Sequence, residues 1–180
     1  FFRKTGVSYV FTEKPEQPRN LTDKLPGPTR RLDYDTVSKQ MKDDTLQSFR
    51  LDMNFKGAST SIQLKSQKKA KPRYNFYYEH CPDGITNVHG YKQLVYKNVY
   101  QGIDIRYYFT EGKLKYDIEV NADANPEDIS FQYKPANAID IQTNGNSLRI
   151  AHALDTLIET IPQTYQIVKE KKKTIACRYI

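Results

Sequence analysis

The sequence contains little of the material from which metal sites, phosphate-binding loops and membrane helices are built. Its 180 residues include two cysteines, three histidines, eight glycines and no tryptophan. So few cysteines, with no histidine spacing to match them, argue against a zinc site. The sequence has no glycine-rich phosphate loop and no G-x-S-x-G nucleophile turn. It also has no run of about 18 apolar residues, so no membrane span is predicted.

The two cysteines, Cys81 and Cys177, lie far apart in the sequence, and neither belongs to a CxxC pair. They are either two buried thiols or one long-range disulfide bond. Cys177 alternates with Ile175 and Tyr179 as an ordinary core residue would, so we predict free thiols.

Basic residues outnumber acidic ones, 28 Lys and Arg against 21 Asp and Glu, for a formal net charge of +7. Nucleic-acid binding would require basic residues clustered on one element among exposed aromatic side chains. The two lysine clusters, at 68–71 and 169–173, fall between strand-like segments, where turns are usually polar. We therefore interpret them as solvated turns and predict no nucleic-acid partner.

Aromatic residues and alternating patterns, by contrast, are abundant. The 14 tyrosines and 8 phenylalanines favour strands over helices. In the centre of the chain, 103–109 and 114–120 alternate apolar and polar residues on either side of Glu111 and Gly112, as a β-hairpin does. This loop predicts a register in which Tyr107 faces Tyr116, and in which all the large apolar side chains share one face.

Two more hairpins are predicted downstream. Asn144 and Gly145 form the strongest short hairpin signal. The register that follows pairs Ile141 with Leu148, Ile139 with Ile150, and Asp140 with Arg149. The last hairpin joins 165–168 to 174–180 through a lysine-rich turn.

Upstream, the alternation predicts short strands at 47–55, 61–65, 73–79 and 93–97, with a Pro-Asp-Gly turn at 81–84. Residues 12–46 are rich in proline and charge and predict a long loop or arm, with room for one short helix. About ten short strands predict an all-β, mostly antiparallel sandwich or open barrel, formed by one domain over 1–180.

The central stretch, VYKNVYQGIDIRYYFTEGKLKYDIEVNADANPEDISFQY, resembles the N-terminal domain of large secreted bacterial proteins that carry SBBP (β-propeller-type) repeats. In that family a Y-x-x-Y-P-G-I-D-L-x-Y-Y motif precedes a G-x-L-x-Y-D-F strand and a G-A-D-P-x-x-I loop. The chain departs from the pattern at Gln101, where the family often has proline, and over 79–88, which replaces a tryptophan-bearing segment. The matching positions are Tyr96, Tyr100, Gly102, Ile103, Asp104, Ile105, Tyr107, Tyr108, Gly112, Leu114, Tyr116, Asp117, Ala124, Pro126 and Ile129.

The resemblance implies an exported protein of the cell surface, often with gliding-motility or type IX secretion domains elsewhere in the chain. It implies no enzymatic activity and no cofactor. The leading hypothesis is a non-catalytic module of adhesion, surface assembly or motility, whose partners are other domains of the same chain and surface glycans or proteins. The alternative is a carbohydrate-binding module. An enzyme ranks last, because no nucleophile or acid–base pair can be named.

Three sets of residues are candidate sites. Asp104, Asp117 and Glu119 are either a calcium or sugar contact or a solvated strand face neutralised by Arg106. An aromatic binding platform, with core packing as its alternative, is predicted at Tyr74, Tyr77, Tyr78 and Tyr108. Thr36, Thr45 and Thr156 share an Asp-Thr-apolar pattern, which resembles the O-glycosylation acceptor motif of the bacteria in which the family occurs; coincidence is the alternative.

Overall fold

The computed structural model describes residues 1–13, 47–135, 140–143 and 145–179. It divides into two compact units: Phe1–Ser8 with Asp52–Lys134, and Tyr9–Leu51 with Pro135–Ile180. The predicted all-β, antiparallel fold class is confirmed, since the described residues hold one short 3-10 helix, Pro126–Asp128, and no α-helix. No helix in these ranges is long and apolar enough to cross a membrane. The prediction of one domain over 1–180 stays a prediction, and nearly all of the predicted arm at 12–46 lies outside the described residues.

The strands form four sheets, in the orders β1-β2-β3-β8, β4-β5-β6-β7, β11-β10-β9 and β12-β13. All the pairs of known register are antiparallel. The strands are β1 (Phe2–Arg3), β2 (Gly6–Thr12), β3 (Ser48–Phe55), β4 (Gln63–Tyr78), β5 (Cys81–Tyr100), β6 (Ile103–Thr110), β7 (Lys113–Val120), β8 (Phe131–Pro135), β9 (Asp140–Thr143), β10 (Ser147–Ala151), β11 (Thr156–Thr160), β12 (Tyr165–Val168) and β13 (Lys171–Thr174).

The first unit is an antiparallel sandwich whose core lies between two sheets. The ring of Phe55 on β3 packs edge-on against Tyr96 on β5, with centroids 5.1 Å apart. On β1, Phe2 packs in the same way against Tyr107 of β6, at 5.2 Å. Alternation produces this core because it places every second side chain between the sheets. Its buried apolar members are Val7, Met53, Phe55, Ile62, Val95, Tyr96, Val99, Tyr100, Ile103, Ile105 and Tyr107.

The central hairpin, β6–β7, has the predicted register, with Tyr107 opposite Tyr116. Glu111 and Gly112 both have positive φ, 51° and 73°, as a tight hairpin loop of two residues requires. The apolar face that these side chains share is not buried at its two ends, because Phe109 beside the loop is 69% exposed and Val120 at the far end is 42% exposed. Alternation shows which face a side chain occupies, but not how far along the hairpin the facing sheet extends.

Strands β4 and β5 correct three sequence predictions. The segments expected as separate short strands are two long ones of 16 and 20 residues, which follow each other through a turn at Glu79 and His80 rather than at 81–84. The first lysine cluster lies within β4 and is not a turn. Lys68 and Pro72 fit there because β4 is the outermost strand of its sheet, where proline and lysine are tolerated.

The second unit contains the predicted Asn-Gly hairpin in a shifted register. Ile150 pairs with Ile141 rather than with Ile139, and Arg149 faces Gln142, so the predicted Asp140–Arg149 pair is wrong. The connection between paired Thr143 and Leu148 has four residues instead of two. Thr143 Oγ1 accepts a hydrogen bond from the Gly145 N–H at 3.2 Å and helps close this longer loop.

The last hairpin turns at Lys169 and Glu170, both at positive φ, so that Lys171–Lys173 lie in strand β13 and not in the turn. Both cysteines are free thiols, as predicted. The reason given for Cys177 is wrong, however, because its side chain is exposed and lies outside any strand. Without a partner strand there is no buried face for it to occupy.

In the second unit, half-buried His152 packs against two phenylalanine rings. The His152 ring stacks on Phe49 at 4.4 Å and lies 4.3 Å from the Phe11 ring. Its Nδ1 accepts hydrogen bonds from the N–H groups of Leu154 and Asp155, each at 3.3 Å. His152 is therefore held by two ring contacts and by two hydrogen bonds at Nδ1.

A two-faced ribbon as the candidate functional site

Part of the β4–β5 pair stands apart from the rest of its sheet. From Lys69–Tyr91 to Tyr78–Cys81 the two strands pair with each other, whereas the pairing of β5 with β6 begins at Gln93. We name residues 69–91 the ribbon. Because strands β4 and β5 alone form it among the described residues, both of its faces are available to carry side chains into solvent.

The first face of the ribbon is apolar. Consecutive rings of Tyr74, Phe76, Tyr78 and His80 lie 6.5, 6.5 and 5.4 Å apart, with interplanar angles of 28°, 3° and 16°. Tyr74 and Tyr78 are 49% and 48% exposed. Side chains that alternate along a strand share one face, which explains the row. We name this the aromatic face: Tyr74, Phe76 and Tyr78, with their cross-strand partners Val88, Ile85 and Cys81.

The opposite face is basic. Arg73–His89 and Tyr74–Val88 are consecutive pairs, so Arg73 and His89 point away from the aromatic face. Lys69 pairs with Tyr91, two residues beyond His89 on β5, and belongs to the same side. Desolvation, together with the nearby charges of Lys69 and Arg73, lowers the pKa of His89. We name Lys69, Arg73, Asn87, His89 and Tyr91 the basic face.

Hydrogen bonds hold the basic face in place. Arg73 Nη1 donates to Asn87 Oδ1 at 2.5 Å. Asn87 has a positive φ of 62°, and its N–H donates to Asn75 Oδ1 at 2.9 Å. Asparagine tolerates this backbone conformation better than most residues. The guanidinium is therefore anchored at one nitrogen while its remaining donors stay available.

Tyr77 lies between Phe76 and Tyr78 and so points to the side opposite their rings. Its own ring covers Gly84 of the neighbouring strand, where a Cβ atom would lie 2.6 Å from Tyr77 Cδ1. Gly84 also has a φ of 70°, which glycine adopts at low cost. The ring thus lies close to the backbone of Gly84, while 67% of the residue stays exposed.

Of the four predicted binding tyrosines, three lie on the ribbon and are exposed, so the core interpretation of the 74–78 run is wrong. The structure places Tyr74 and Tyr78 on one face and Tyr77 on the other. Tyr108 is not on the ribbon: it lies on β6, and its hydroxyl donates to Asp117 Oδ1 at 3.0 Å. This hydrogen bond raises the pKa of Tyr108, since the carboxylate favours the protonated phenol.

The carboxylates of the central hairpin have separate partners. Asp104 forms an ion pair with Lys97, and Glu119 forms one with Arg106, each at 2.5 Å. Asp104 lies opposite Glu119 in the β6–β7 register, and the two ion pairs compensate these like charges. Within the described parts of the chain, no group of three His, Cys, Asp or Glu residues could hold a metal ion. The calcium or sugar contact at Asp104, Asp117 and Glu119 stays a prediction, and the Arg106–Glu119 ion pair agrees with the alternative of a strand face neutralised by Arg106.

The predicted glycosylation positions are only partly visible. Thr156 begins β11 and is half-buried, and its N–H donates to Asp155 Oδ1 at 2.7 Å. Thr36 and Thr45 lie outside the described residues. Glycosylation at these positions stays a prediction.

An open polar cavity of about 540 Å³ lies in the first unit. It is lined by Lys56, Gly57, Ser59, Asn98, Tyr100, Gln101 and Asp128. The Tyr100 hydroxyl donates to the Ser130 carbonyl oxygen at 2.6 Å, and burial raises the pKa of Tyr100. A hydroxyl so engaged, beside a single carboxylate, is a structural arrangement and does not form a nucleophile–base pair.

The basic face was missed in the sequence. Lys69, Arg73, His89 and Tyr91 come together only when β4 pairs with β5, and this pairing contains register shifts that no local pattern encodes. The period-two placement of Lys69, Lys71 and Arg73 was the available signal for a strand.

The comparisons with known proteins give a family without an assigned activity. The whole chain, residues 1–180, matches the family described as a domain of unknown function (DUF7948), and it belongs to that family. No curated protein matches the chain. No solved structure matches it either.

Proposed function

We propose that this chain is a non-catalytic module of a secreted cell-surface protein that acts in adhesion, surface assembly or gliding motility. The observation that carries the proposal is the aromatic face, a continuous row of half-exposed rings on a two-stranded ribbon. Exposed contiguous apolar patches on soluble proteins mark binding surfaces. Its partners would be other domains of the same longer chain and proteins or glycans of the surface.

The exposed edge of β4 is poorly suited to pairing with a strand of a partner, which favours a partner that docks on the aromatic face. An exposed edge strand invites pairing with another chain unless proline, lysine or bulges interrupt it. Here Pro72 cannot donate to a new strand, Lys68 has a φ of 54°, and the register shifts three times along the ribbon. Strand addition is thus opposed, while the aromatic face carries no charged side chain.

Surface location is tested with antibodies raised against this chain. Intact cells of the native host should be labelled as strongly as permeabilised cells. Labelling that requires permeabilisation would contradict secretion and with it the proposed function.

The binding role is tested with the triple variant Tyr74→Ser, Phe76→Ser, Tyr78→Ser in the full-length protein. We expect loss of cell attachment or gliding, because each substitution removes a ring that would be buried on docking. A matched control replaces Phe109, Tyr165 and Ile167, which are also exposed, and should behave as wild type. Equal loss in both variants, or in neither, would refute a role for the aromatic face.

A carbohydrate-binding module is the second candidate. The near-parallel rings of Tyr74, Phe76 and Tyr78 favour it, because flat apolar sugar faces stack on aromatic rings. A neutral-glycan array should then show binding that the triple variant loses. Adhesion without any glycan signal would leave the protein-docking function in place and reject this one.

A further inference from the structure

The basic face differs in chemistry from the aromatic face and requires a different ligand. We propose that it binds an acidic polysaccharide, a chain of sugars bearing uronate carboxylates. Lys69 and Arg73 would contact the carboxylates, and the exposed tyrosines Tyr77 and Tyr91 would stack on the sugar rings. This site goes beyond the proposed function, since it names a ligand class for a surface that the docking role does not use.

Among the described residues, no carboxylate neutralises the fixed charges of Lys69 and Arg73. The ion pairs with known geometry in the described residues are Arg3–Asp52, Lys97–Asp104 and Arg106–Glu119. Neither Lys69 nor Arg73 has a carboxylate partner in this part of the chain. The pKa of His89 is lowered first by desolvation and then by the charges of Lys69 and Arg73, which places both cations near this ring. A carboxylate-bearing ligand would supply the missing partners, and an anchored guanidinium is well suited to a two-point contact with one.

Two aromatic rings accompany the charges. Tyr91 lies opposite Lys69 and is 50% exposed. Tyr77 lies next to Gly84 and is 67% exposed. Tyrosine rings in such positions add contact area at low entropic cost, since each has only two rotatable side-chain bonds. Charge and stacking surface are therefore interleaved along one side of the ribbon.

The polar groups between the rings favour a sugar chain over a single-stranded nucleic acid. The side chains of Asn75 and Asn87 place neutral amide groups beside Arg73. Hydroxyl-rich sugars can use amides and cations together, whereas single-stranded nucleic acid relies on a continuous basic track for its phosphates. The fixed cations with period-two placement on this part of β4 are Lys69, Lys71 and Arg73, and β5 adds none over 85–91, so the basic track is short.

The test measures binding of alginate, a uronate polymer, to the full chain at low salt. The double variant Lys69→Ala, Arg73→Ala should weaken binding about tenfold or more, through the loss of two charge-assisted contacts. The matched control Lys171→Ala, Lys173→Ala removes the same charge from strand β13 and should change binding less than about twofold. Tyr77→Ala and Tyr91→Ala should each weaken alginate binding too, and circular dichroism verifies that every variant is folded.

Several results would overturn the proposal. Equal weakening of binding by the double variant Lys69→Ala, Arg73→Ala and by its control Lys171→Ala, Lys173→Ala would show that net charge alone attracts the polymer. Tighter binding of oligo(dT) than of alginate would assign the face to nucleic acid, and no binding to alginate would reject the site. The aromatic-face triple variant should bind alginate normally, so that failure of this site and failure of the proposed function are distinguished.

Discussion

Single residues in the first unit act through very close contacts, and Gly6 is the clearest case. A Cβ atom at this position would overlap the carbonyl oxygen of Met53 on the neighbouring strand. The Gly6 carbonyl oxygen in turn lies 2.9 Å from the Tyr96 hydroxyl, which also bonds the Arg3 carbonyl at 2.7 Å. Burial of this hydroxyl raises the pKa of Tyr96. One glycine therefore permits both a strand contact and a buried hydrogen bond.

We predict that Gly6→Ala destabilises the protein by about 3 kcal/mol or more, because the backbone of β3 must move to admit the methyl group. The control is Gly57→Ala, where φ is 71° but no atom lies within 4 Å of the added carbon. That variant should lose only about 1 kcal/mol, the usual cost of a left-handed alanine. Urea unfolding measures both, and an equal effect would rule out the contact with Met53.

At the same scale, His89 should make stability depend on pH. The pKa of His89 in the folded chain lies below the usual 6.5. Between pH 6.5 and that lower pKa, the unfolded chain therefore binds more protons than the folded chain does. The contribution of His89 to stability is intact above pH 6.5 and is lost as the pH decreases toward the folded pKa. The variant His89→Gln should therefore lose less thermal stability between pH 7.5 and 5.5 than wild type.

A second measurement tests whether the charge of Lys69 contributes to the lowered pKa of His89. In a proton NMR titration, Lys69→Gln should raise the pKa of His89, since it removes one of the two charges that lower it. An unchanged titration would mean that Lys69 is not close enough to His89 to act, and would remove Lys69 from the basic face.

At the scale of elements, the register of β6–β7 can be tested by one pair of substitutions. Tyr116 contacts the rings of Tyr107 at 5.4 Å and Phe131 at 6.1 Å, while Lys115 points to the exposed face. Tyr116→Ala should cost about 2 to 3 kcal/mol; half-burial makes this somewhat less than alternation alone suggests. Lys115→Ala should cost less than about 0.5 kcal/mol. The opposite order in urea unfolding would mean that β7 is turned over.

The two hairpins β6–β7 and β9–β10 differ in how well the sequence pattern predicts their register. The β6–β7 hairpin is predictable because a two-residue loop at positive φ leaves one register, and because Ile103, Ile105 and Tyr107 on β6 are buried. The Asn-Gly hairpin is correct in kind but shifted by two residues, since its connection is longer than the signal implies. A shift of two keeps each side chain on its face, so Ile150 is still buried.

The ribbon shows the limit of such patterns. Only 73–79 of the ribbon is predicted as a strand, because neither face is buried and the lysines and Pro72 resemble a loop. The tyrosines of the candidate site could be identified because aromatic clusters are conspicuous in a sequence. Lys69, Arg73, His89 and Tyr91 could not, because only a long-range pairing with irregular register brings them together.

At the scale of the whole molecule, neither unit depends on a covalent cross-link in the described structure. Each unit has its own buried residues, such as Tyr96 in the first and Ile150 in the second. A chain of this size buries enough apolar surface to fold without disulfide bonds or metals. Packing must therefore supply the stability that small secreted domains often obtain from disulfides.

This leads to a prediction about Cys81 and Cys177, one in each unit, which are both free thiols. A disulfide closing a loop of about 100 residues would add roughly 4.7 kcal/mol in the chain-entropy model. We therefore expect the urea midpoint to be the same with and without a reductant. Iodoacetamide should modify exposed Cys177 faster than half-buried Cys81 in the native protein, and both in denaturant. A midpoint that falls on reduction, or a denatured chain that resists alkylation until reduced, would show that the two cysteines are bridged.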